Sequence, residues 1–235
     1  MNSFSLPKLS RLLLTAYCLL LTAYCLLLTD MVEPESMVFV VDDDPSVCRS
    51  IERLIEPAGF KVQSFRSAAQ FLAQGRPSGP ACLVLDVQLP GLSGLDLQRE
   101  LTNSGIQLPI IFITGHGDIP MTVRAMKGGA VEFLTKPFRA GQLLSAIRAA
   151  LERDRTMLQQ QTEMAQLHNR YDLLTPRERE VLALLVTGLL NKQIAGELAT
   201  TERTIKFHRA NIMRKMQAES VADLVKMAQK LGLEE

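Results

Sequence analysis

Five polar residues follow short β-rich runs in the first two thirds of the sequence. Asp42 and Asp43 come directly after VFVV, Asp86 ends CLVLD, Thr114 ends IIFIT and Lys136 follows VEFLT. Carboxylates that are brought together repel one another and need a cation, and a site of hard oxygen ligands suits Mg²⁺. A lysine and a hydroxyl could also neutralise and hydrogen-bond the oxygens of a phosphoryl group. The isolated carboxylate of Asp86 is best placed to attack phosphorus and form an aspartyl phosphate.

A parallel sheet with helices on both faces is the arrangement that would bring these residues together. β-Rich runs alternate with segments of helical spacing from residue 37 to about residue 150, which predicts an α/β fold with a five-stranded parallel, doubly wound, flavodoxin-like sheet. Ligands of such sheets bind beyond the carboxyl ends of the strands. The predicted strands are 37–41, 61–65, 82–86, 110–114 and 131–135, and the predicted helices lie over 47–55, 68–73, 95–101 and 121–126.

Three segments of this region carry a family resemblance: VFVVDDDPSV, LVLDVQLPGLSGLDL and FITGHGDIPMTVRAMKGGAVEFLTKPF. Over residues 36–153 the chain resembles the receiver domain of two-component response regulators. The resemblance implies that Asp86 accepts a phosphoryl group from a sensor histidine kinase. It also implies that Asp43 binds Mg²⁺ directly, that Asp42 assists mainly through water, and that the backbone carbonyl of Gln88 is a further ligand.

The same resemblance assigns the residues that respond to the phosphoryl group. Lys136 would pair with it, and Thr114 would move to hydrogen-bond it. Phe133 holds the aromatic switch position, which in the family turns inward as Thr114 moves. Pro137 resembles the family's usual cis-proline.

The last sixty residues have a helical pattern. Thr175, Pro176 and Glu178 form a capping-box signature at the start of one helix. A second helix is predicted over 192–198 with Asn191 as its cap, and a third runs from the cap Thr201 to about residue 216. Two short helices around a tight turn make a helix-turn-helix, for which residues 173–235 are the predicted domain. A last helix is predicted over 220–231.

The third of these helices has a local positive charge, with five basic residues against one acidic residue over 202–216. The motifs PREREVL, NKQIA and TIKFHRANI resemble the LuxR-type helix-turn-helix over 173–216. Together with the receiver, the chain is similar to the FixJ/NarL class of transcription regulators. The predicted DNA-binding segment is the helix-turn-helix from about Asn191 to Ala210. The candidates for DNA contact are Arg203, Lys206, Phe207 and Ala210 for base edges, and Thr204, Arg209 and Arg214 for phosphates. The stripe of Ile205, His208, Ile212 and Met216 is assigned to the core.

Residues 154–172 connect the two predicted domains. They are polar and rich in glutamine and lack proline and glycine, which predicts a helical linker. Over 148–172 four basic residues stand against four acidic ones, so we interpret the connector as a solvated surface.

The first thirty residues differ from the rest of the chain. An uncharged stretch repeats the unit LLLTAYC, and Lys8 and Arg11 precede it. A signal peptide or a membrane anchor would have this pattern, but either would send the proposed domains away from the phosphodonor and the DNA. We therefore interpret residues 1–30 as a mis-assigned extension or a dispensable tail, with translation beginning at Met31 or Met37.

Composition sets the remaining limits. The 235 residues are 47% hydrophobic and 22% charged, which excludes disordered and collagen-like classes and allows two domains. A formal charge of +1 favours neither a nucleic-acid nor a membrane partner for the chain as a whole. The four cysteines form no CxxC motif, which indicates a reducing compartment without zinc.

These patterns predict a cytoplasmic transcription regulator that is switched by phosphorylation and is not an enzyme. The expected partners are a sensor histidine kinase, promoter DNA, a second copy of the phosphorylated chain and RNA polymerase, with no membrane partner. Two alternatives remain open. One is a constitutive DNA-binding regulator whose receiver does not depend on phosphate, and the other is a Mg²⁺-dependent phosphatase with Asp86 as its nucleophile.

Overall fold

The computed structural model describes residues 36–115 and 117–233. The chain forms two compact units, whose boundary lies between Arg155 and Thr156. The extension that the sequence suggests at residues 1–30 lies outside the described residues. None of the helices in the described part of the chain has the length and apolar character needed to span a membrane.

A five-stranded parallel sheet forms the centre of the first unit. The order of its strands is β2-β1-β3-β4-β5, and every neighbouring pair is parallel. The predicted doubly wound α/β architecture is confirmed, because each strand begins and ends within one residue of its predicted position. The strands are β1 (Met37–Val41), β2 (Lys61–Phe65), β3 (Ala81–Asp86), β4 (Ile110–Thr114) and β5 (Glu132–Thr135).

Helices cover both faces of this sheet, because alternate residues of each strand enter different apolar clusters. In β1, Val38 and Val40 pack with α1 and α5, whereas Phe39 and Val41 pack with α2, α3 and α4. The side chain of Asp44 caps α1 by accepting a hydrogen bond from Ser46 N–H. The helices are α1 (Pro45–Ile55), α2 (Ala68–Leu72), α3 (Gly94–Asn103), α4 (Ile119–Lys127) and α5 (Ala140–Asp172).

The helix α5 is 33 residues long and includes the whole of the predicted linker, 154–172. Its beginning contributes Leu143 and Ile147 to the core of the first unit, and Leu167 belongs to the core of the second. The interpretation of 154–172 as a solvated surface is wrong at Asp154, whose side chain is fully buried. The reason is an ion pair with Arg76, which is distant in sequence.

The second unit is helical in its described residues and encloses an apolar cluster that includes Leu182, Ile194, Ile205 and Ile212. The capping box of Thr175 and Glu178 is present, with hydrogen bonds in both directions. The helices of this unit after α5 are α6 (Pro176–Val186), α7 (Asn191–Glu197), α8 (Glu202–Met216) and α9 (Val221–Lys230).

The predicted cap of α7 is wrong by one residue. Leu190 occupies the cap position, and Asn191 is the first residue of the helix. The side chain of Gln193 reaches back to accept the Leu190 N–H at 2.8 Å. Asn191 instead accepts a hydrogen bond from Arg209 of α8 at 3.1 Å. A contact between two helices therefore replaces the local cap.

Candidate functional site

A half-buried lysine bridges two carboxylates at the carboxyl edge of the sheet. Lys136 Nζ donates hydrogen bonds to Asp42 Oδ2 at 2.6 Å and to Asp86 Oδ2 at 2.7 Å. Asp42 follows β1 and Asp86 ends β3, and these strands are neighbours. Both carboxylates are buried. The parallel sheet thus brings together three of the residues that the sequence places at strand ends.

Backbone N–H groups hold the other oxygens of the same carboxylates. Asp44 N–H donates to Asp42 Oδ1, and Gln88 N–H donates to Asp86 Oδ1, both at 2.9 Å. Each of the four oxygens therefore accepts a hydrogen bond, which fixes the orientation of both side chains before any ligand arrives.

Asp43 adds a third carboxylate that is exposed to solvent. Oxygens of Asp42, Asp43 and Asp86 all lie within 4.8 Å of one another. The backbone carbonyl of Asp43 accepts a hydrogen bond from Arg66 Nε at 3.3 Å. Carboxylate oxygens grouped in this way are the hard ligands that Mg²⁺ prefers, so the donor set fits this ion.

The charges of the site influence one another. Burial raises the pKa of Asp42, although hydrogen bonds from Lys136 and from the Asp44 N–H oppose the change. Burial alone would lower the pKa of Lys136, but its hydrogen bonds to Asp42 and Asp86 outweigh burial and raise it. Lys136 therefore carries the positive charge in this cluster, among three carboxylates. A cation or an added hydrogen-bond donor would stabilise the charged form of the carboxylates further.

Thr114 and Phe133 both lie beside Gly117, in the loop that follows β4. Thr114 is fully buried at the end of β4, and the Phe133 ring of β5 is half-buried, 6.3 Å from the ring of Phe112. A Cβ at Gly117 would lie 3.0 Å from Phe133 Cε1 and 3.3 Å from Thr114 Cγ2. The space at Gly117 therefore adjoins both of the predicted switch residues.

Two loops shape the edge of the site. The peptide bond between Lys136 and Pro137 is cis, which confirms the expectation from the resemblance. After β3, the chain turns back so that Gly94 N–H donates to the carbonyl of Val87 at 3.0 Å. The backbone of α3 thereby approaches the strand that ends in Asp86.

The second candidate site is the outer face of α8. Five of the residues predicted to contact DNA are exposed on this helix, and 64% of Phe207 is accessible to solvent. A large aromatic side chain at that exposure is an unusual surface residue, and it stands among cations. The five exposed residues are Arg203, Lys206, Phe207, Ala210 and Arg214.

Two of the predicted phosphate-contacting residues have internal hydrogen bonds. Thr204 is half-buried, and its hydroxyl lies 2.8 Å from the hydroxyl of Thr201, the cap of α8. Arg209 is also half-buried and donates to Asn191 of α7. On the inner side of α8, Ile205, Ile212 and Met216 are buried as predicted, whereas His208 is half-buried with its Nδ1 enclosed.

Two ion pairs could not be found from the sequence. Lys215 Nζ donates to Glu178 at 2.6 Å and to the carbonyl of Leu173 at 3.1 Å, so it is held within the second unit. Asp154 pairs with Arg76 in the first unit. Each pair joins residues that are far apart in the chain, and no local pattern marks either of them.

The fold and the two sites define a receiver unit joined to a helix-turn-helix DNA-binding unit. Residues 38–148 match the family model of the response regulator receiver domain, and residues 172–228 match that of bacterial regulatory proteins of the luxR family. The chain belongs to the two-component response regulators that control transcription through a LuxR-type DNA-binding domain.

Similar proteins and a similar solved structure support this assignment. The chain is 53% identical to nodulation protein W of Bradyrhizobium diazoefficiens, over 85% of this chain and 88% of the relative. It is 44% identical to the transcriptional regulatory protein FixJ of Azorhizobium caulinodans, over 85% of this chain and 95% of that protein. Among solved structures, the response regulator StyR matches with a TM-score of 0.78 at 49% identity, over 84% of this chain and 100% of StyR. FixJ and StyR are both named as regulators.

Proposed function

We propose that Asp86 accepts a phosphoryl group from a sensor histidine kinase and that this modification controls DNA binding by the second unit. The observation that carries the proposal is the bridge of Lys136 between Asp42 and Asp86, with Asp43 alongside. A structural ion pair needs one carboxylate per lysine. Three carboxylates around one lysine are better explained by a site that also receives a cation and an anion.

Each polar residue at the carboxyl edge of the sheet has a role in the proposed phosphorylation. Asp86 supplies the attacking oxygen, and the Gln88 N–H holds Oδ1 of the same carboxylate. Lys136 is already within hydrogen-bond distance of Asp86, so it can neutralise negative charge that arrives there. Asp42, Asp43, Asp86 and the backbone carbonyl of Gln88 would hold Mg²⁺, which supplies charge neutralisation for the phosphoryl oxygens.

The proposed switch links the modified Asp86 to the surface formed by α4, β5 and α5. Thr114 and Phe133 move inward, and two phosphorylated receivers pair through this surface. Its apolar exposure supports pairing, since Ile119 is 81% exposed and Val123 and Met126 are each 44% exposed. Phosphorylation then shifts the population of an existing state.

The paired chains would place two α8 helices on DNA half-sites about one helical turn apart. Arg203, Lys206, Phe207 and Ala210 face the base edges, and Thr204, Arg209 and Arg214 approach phosphates. RNA polymerase at the promoter is a further partner, and the cytoplasm is the compartment that holds both the kinase and the DNA. The proposed domains are 36–153 for the receiver, 154–172 for the linker and 173–235 for the DNA-binding domain.

The test is phosphorylation by acetyl phosphate with Mg²⁺, followed by intact mass and size-exclusion chromatography. Wild type should gain one phosphoryl group and shift toward a dimer, whereas Asp86→Asn should do neither. A folded wild type that takes no label would support a constitutive DNA-binding regulator instead. Sustained turnover of a small phosphoester would support the phosphatase alternative.

A further inference from the structure

The buried carboxylate of Asp154 ties α5 to the beginning of the strand that ends in Asp86. Asp154 Oδ2 accepts a hydrogen bond from the backbone N–H of Ala81, the first residue of β3, at 2.8 Å. The side chain of Asp154 has no exposed surface. The strand β3 is thus held by α5 at its first residue and carries the proposed phosphoacceptor at its last.

Arg76 fixes the same carboxylate from the loop between α2 and β3. Its Nη2 donates to both oxygens of Asp154, at 2.7 and 2.9 Å. Its Nη1 donates to the backbone carbonyl of Gln107, ahead of β4. A planar guanidinium that holds both oxygens of a carboxylate constrains direction as well as distance. Asp154 is therefore held in one orientation.

Asp154 lies on α5 between the last apolar core contact of the first unit and the boundary with the second unit. Leu151 is the last residue of α5 in the apolar core of the first unit. Asp154 lies nearly one turn further on, just before the boundary between Arg155 and Thr156. The ion pair therefore extends the fixed part of α5 beyond its apolar contacts, up to the point where the second unit begins. An apolar residue could fill the same space without the cost of burying a charge, but it would not supply directional bonds.

We propose that Asp154, held by Arg76, is a positioning residue for signal transmission. It fixes the turn of α5 that precedes the second unit, and through Ala81 it connects that turn to the strand carrying Asp86. The proposal rests on the proposed function, because it requires that phosphorylation at Asp86 changes DNA binding.

Two substitutions in the full chain test this role. Asp154→Asn keeps the shape of the side chain and removes its charge. Arg76→Lys is a milder change that keeps the charge but cannot hold two carboxylate oxygens and a carbonyl at once. Glu152→Gln is the matched control, because Glu152 lies two residues away on the same helix, is exposed and forms a surface pair with Arg155.

Three measurements are made on each protein. Intact mass after treatment with acetyl phosphate and Mg²⁺ reports phosphorylation. Hydrogen exchange followed by mass spectrometry reports the protection of peptides covering 76–86 and 150–160. Binding to a duplex that the phosphorylated wild type selects from a random pool reports how much phosphorylation raises DNA affinity.

We expect Asp154→Asn to be phosphorylated to the wild-type extent. Its two peptides should exchange faster, and the phosphorylation-dependent gain in DNA affinity should fall by about fivefold or more, the lower range of a typical coupling between sites. Arg76→Lys should show a smaller change in the same direction, and Glu152→Gln should match wild type.

The proposal is overturned if the two peptides of both variants exchange at the wild-type rate. It is also overturned if the gain in affinity survives in both variants. Failure of the proposed function is distinguishable, because wild type itself would then show no phosphorylation or no gain. In that case transmission through Asp154 is also rejected, and the exchange data still decide whether the ion pair holds α5 to β3.

Discussion

Gly94 lies directly against the backbone carbonyl of Asp86, because a Cβ at Gly94 would stand 2.3 Å from that oxygen. The atom in the way belongs to the backbone and cannot turn aside as a flexible side chain could. The first turn of α3 and the end of β3 can therefore approach this closely only with glycine at position 94.

Gly94→Ala should consequently damage both stability and phosphorylation. The added methyl group must displace the residues around Asp86, and we expect a loss of about 2 kcal/mol in the free energy of unfolding. Urea denaturation followed by circular dichroism measures the loss, and intact mass measures labelling by acetyl phosphate. Gly141→Ala is the control, because a Cβ at Gly141 would meet nothing within 4 Å. Equal behaviour of the two variants would contradict the close approach.

The pair of Glu178 and Lys215 predicts a pH dependence of stability in the second unit. Burial opposes the charge of Glu178, but hydrogen bonds from Lys215 and Thr175 outweigh burial and hold the pKa of this carboxyl below its ordinary value of 4.5. A lowered pKa in the folded state contributes stability that is fully present above 4.5. That contribution is lost as the pH falls through the lower, folded-state pKa.

Glu178→Gln should therefore be less stable than wild type at pH 7, and the difference should shrink as the pH falls below 4.5. Urea denaturation of both proteins across this range measures it. Glu180→Gln is a suitable control, because Glu180 is exposed and pairs with Arg177 at the surface. A difference between Glu178→Gln and wild type that stays constant with pH would show that charge is not the cause.

Two substitutions on α8 should separate contact with bases from contact with phosphates. Phe207→Ala removes an exposed apolar side chain, so DNA affinity should fall without a change in the dependence of affinity on salt. Arg214→Gln removes one cation, so the slope of log affinity against log salt should decrease by about one. Binding titrations at several salt concentrations, on a duplex selected by the wild-type protein, measure both. If Phe207→Ala changes the slope instead, the assignment of this residue to a base edge is wrong.

The end of α8 offers a substitution that should stabilise the protein. Gln217 caps this helix in the left-handed region, with φ of 57° and ψ of 37°. Glycine adopts this conformation without the steric cost that other residues meet. Gln217→Gly should raise the free energy of unfolding by about 0.5–1 kcal/mol, measured by urea denaturation. Gln217→Ala keeps the steric cost and should not stabilise the protein.

The sequence predicts the elements of this protein well where a local pattern determines them. Alternation of apolar runs and turns placed all five strands, and with them the residues at the carboxyl edge of the sheet. The side chains of Thr175 and Thr201 cap their helices as expected, because each cap depends on a residue only three positions away. The strand ends also sufficed to predict that Asp42, Asp86 and Lys136 would meet.

Contacts between distant segments could not be predicted from local sequence patterns. Asn191 has the side chain of a cap, but Arg209 of α8 binds it and Leu190 takes the cap position. Asp154 looks like one charge among many in a polar linker, and only the folded chain brings Arg76 to it. Lys215 is a further example. The sequence places it among the basic residues of α8, whereas in the folded chain it pairs with Glu178.

The order of the strands also determines how the chain gains its structure. Met37 pairs with both Lys61 and Ala81, so the central strands of the sheet join segments that are far apart in the chain. Closing such long loops costs conformational entropy before the strand contacts can form, so parallel sheets form slowly. Helices that pack against near neighbours in the chain form fast. The DNA-binding unit should thus regain its helices before the receiver regains its sheet, and stopped-flow refolding should resolve two phases. A chain that refolds from denaturant would then have its DNA-binding unit before it has the receiver that controls it.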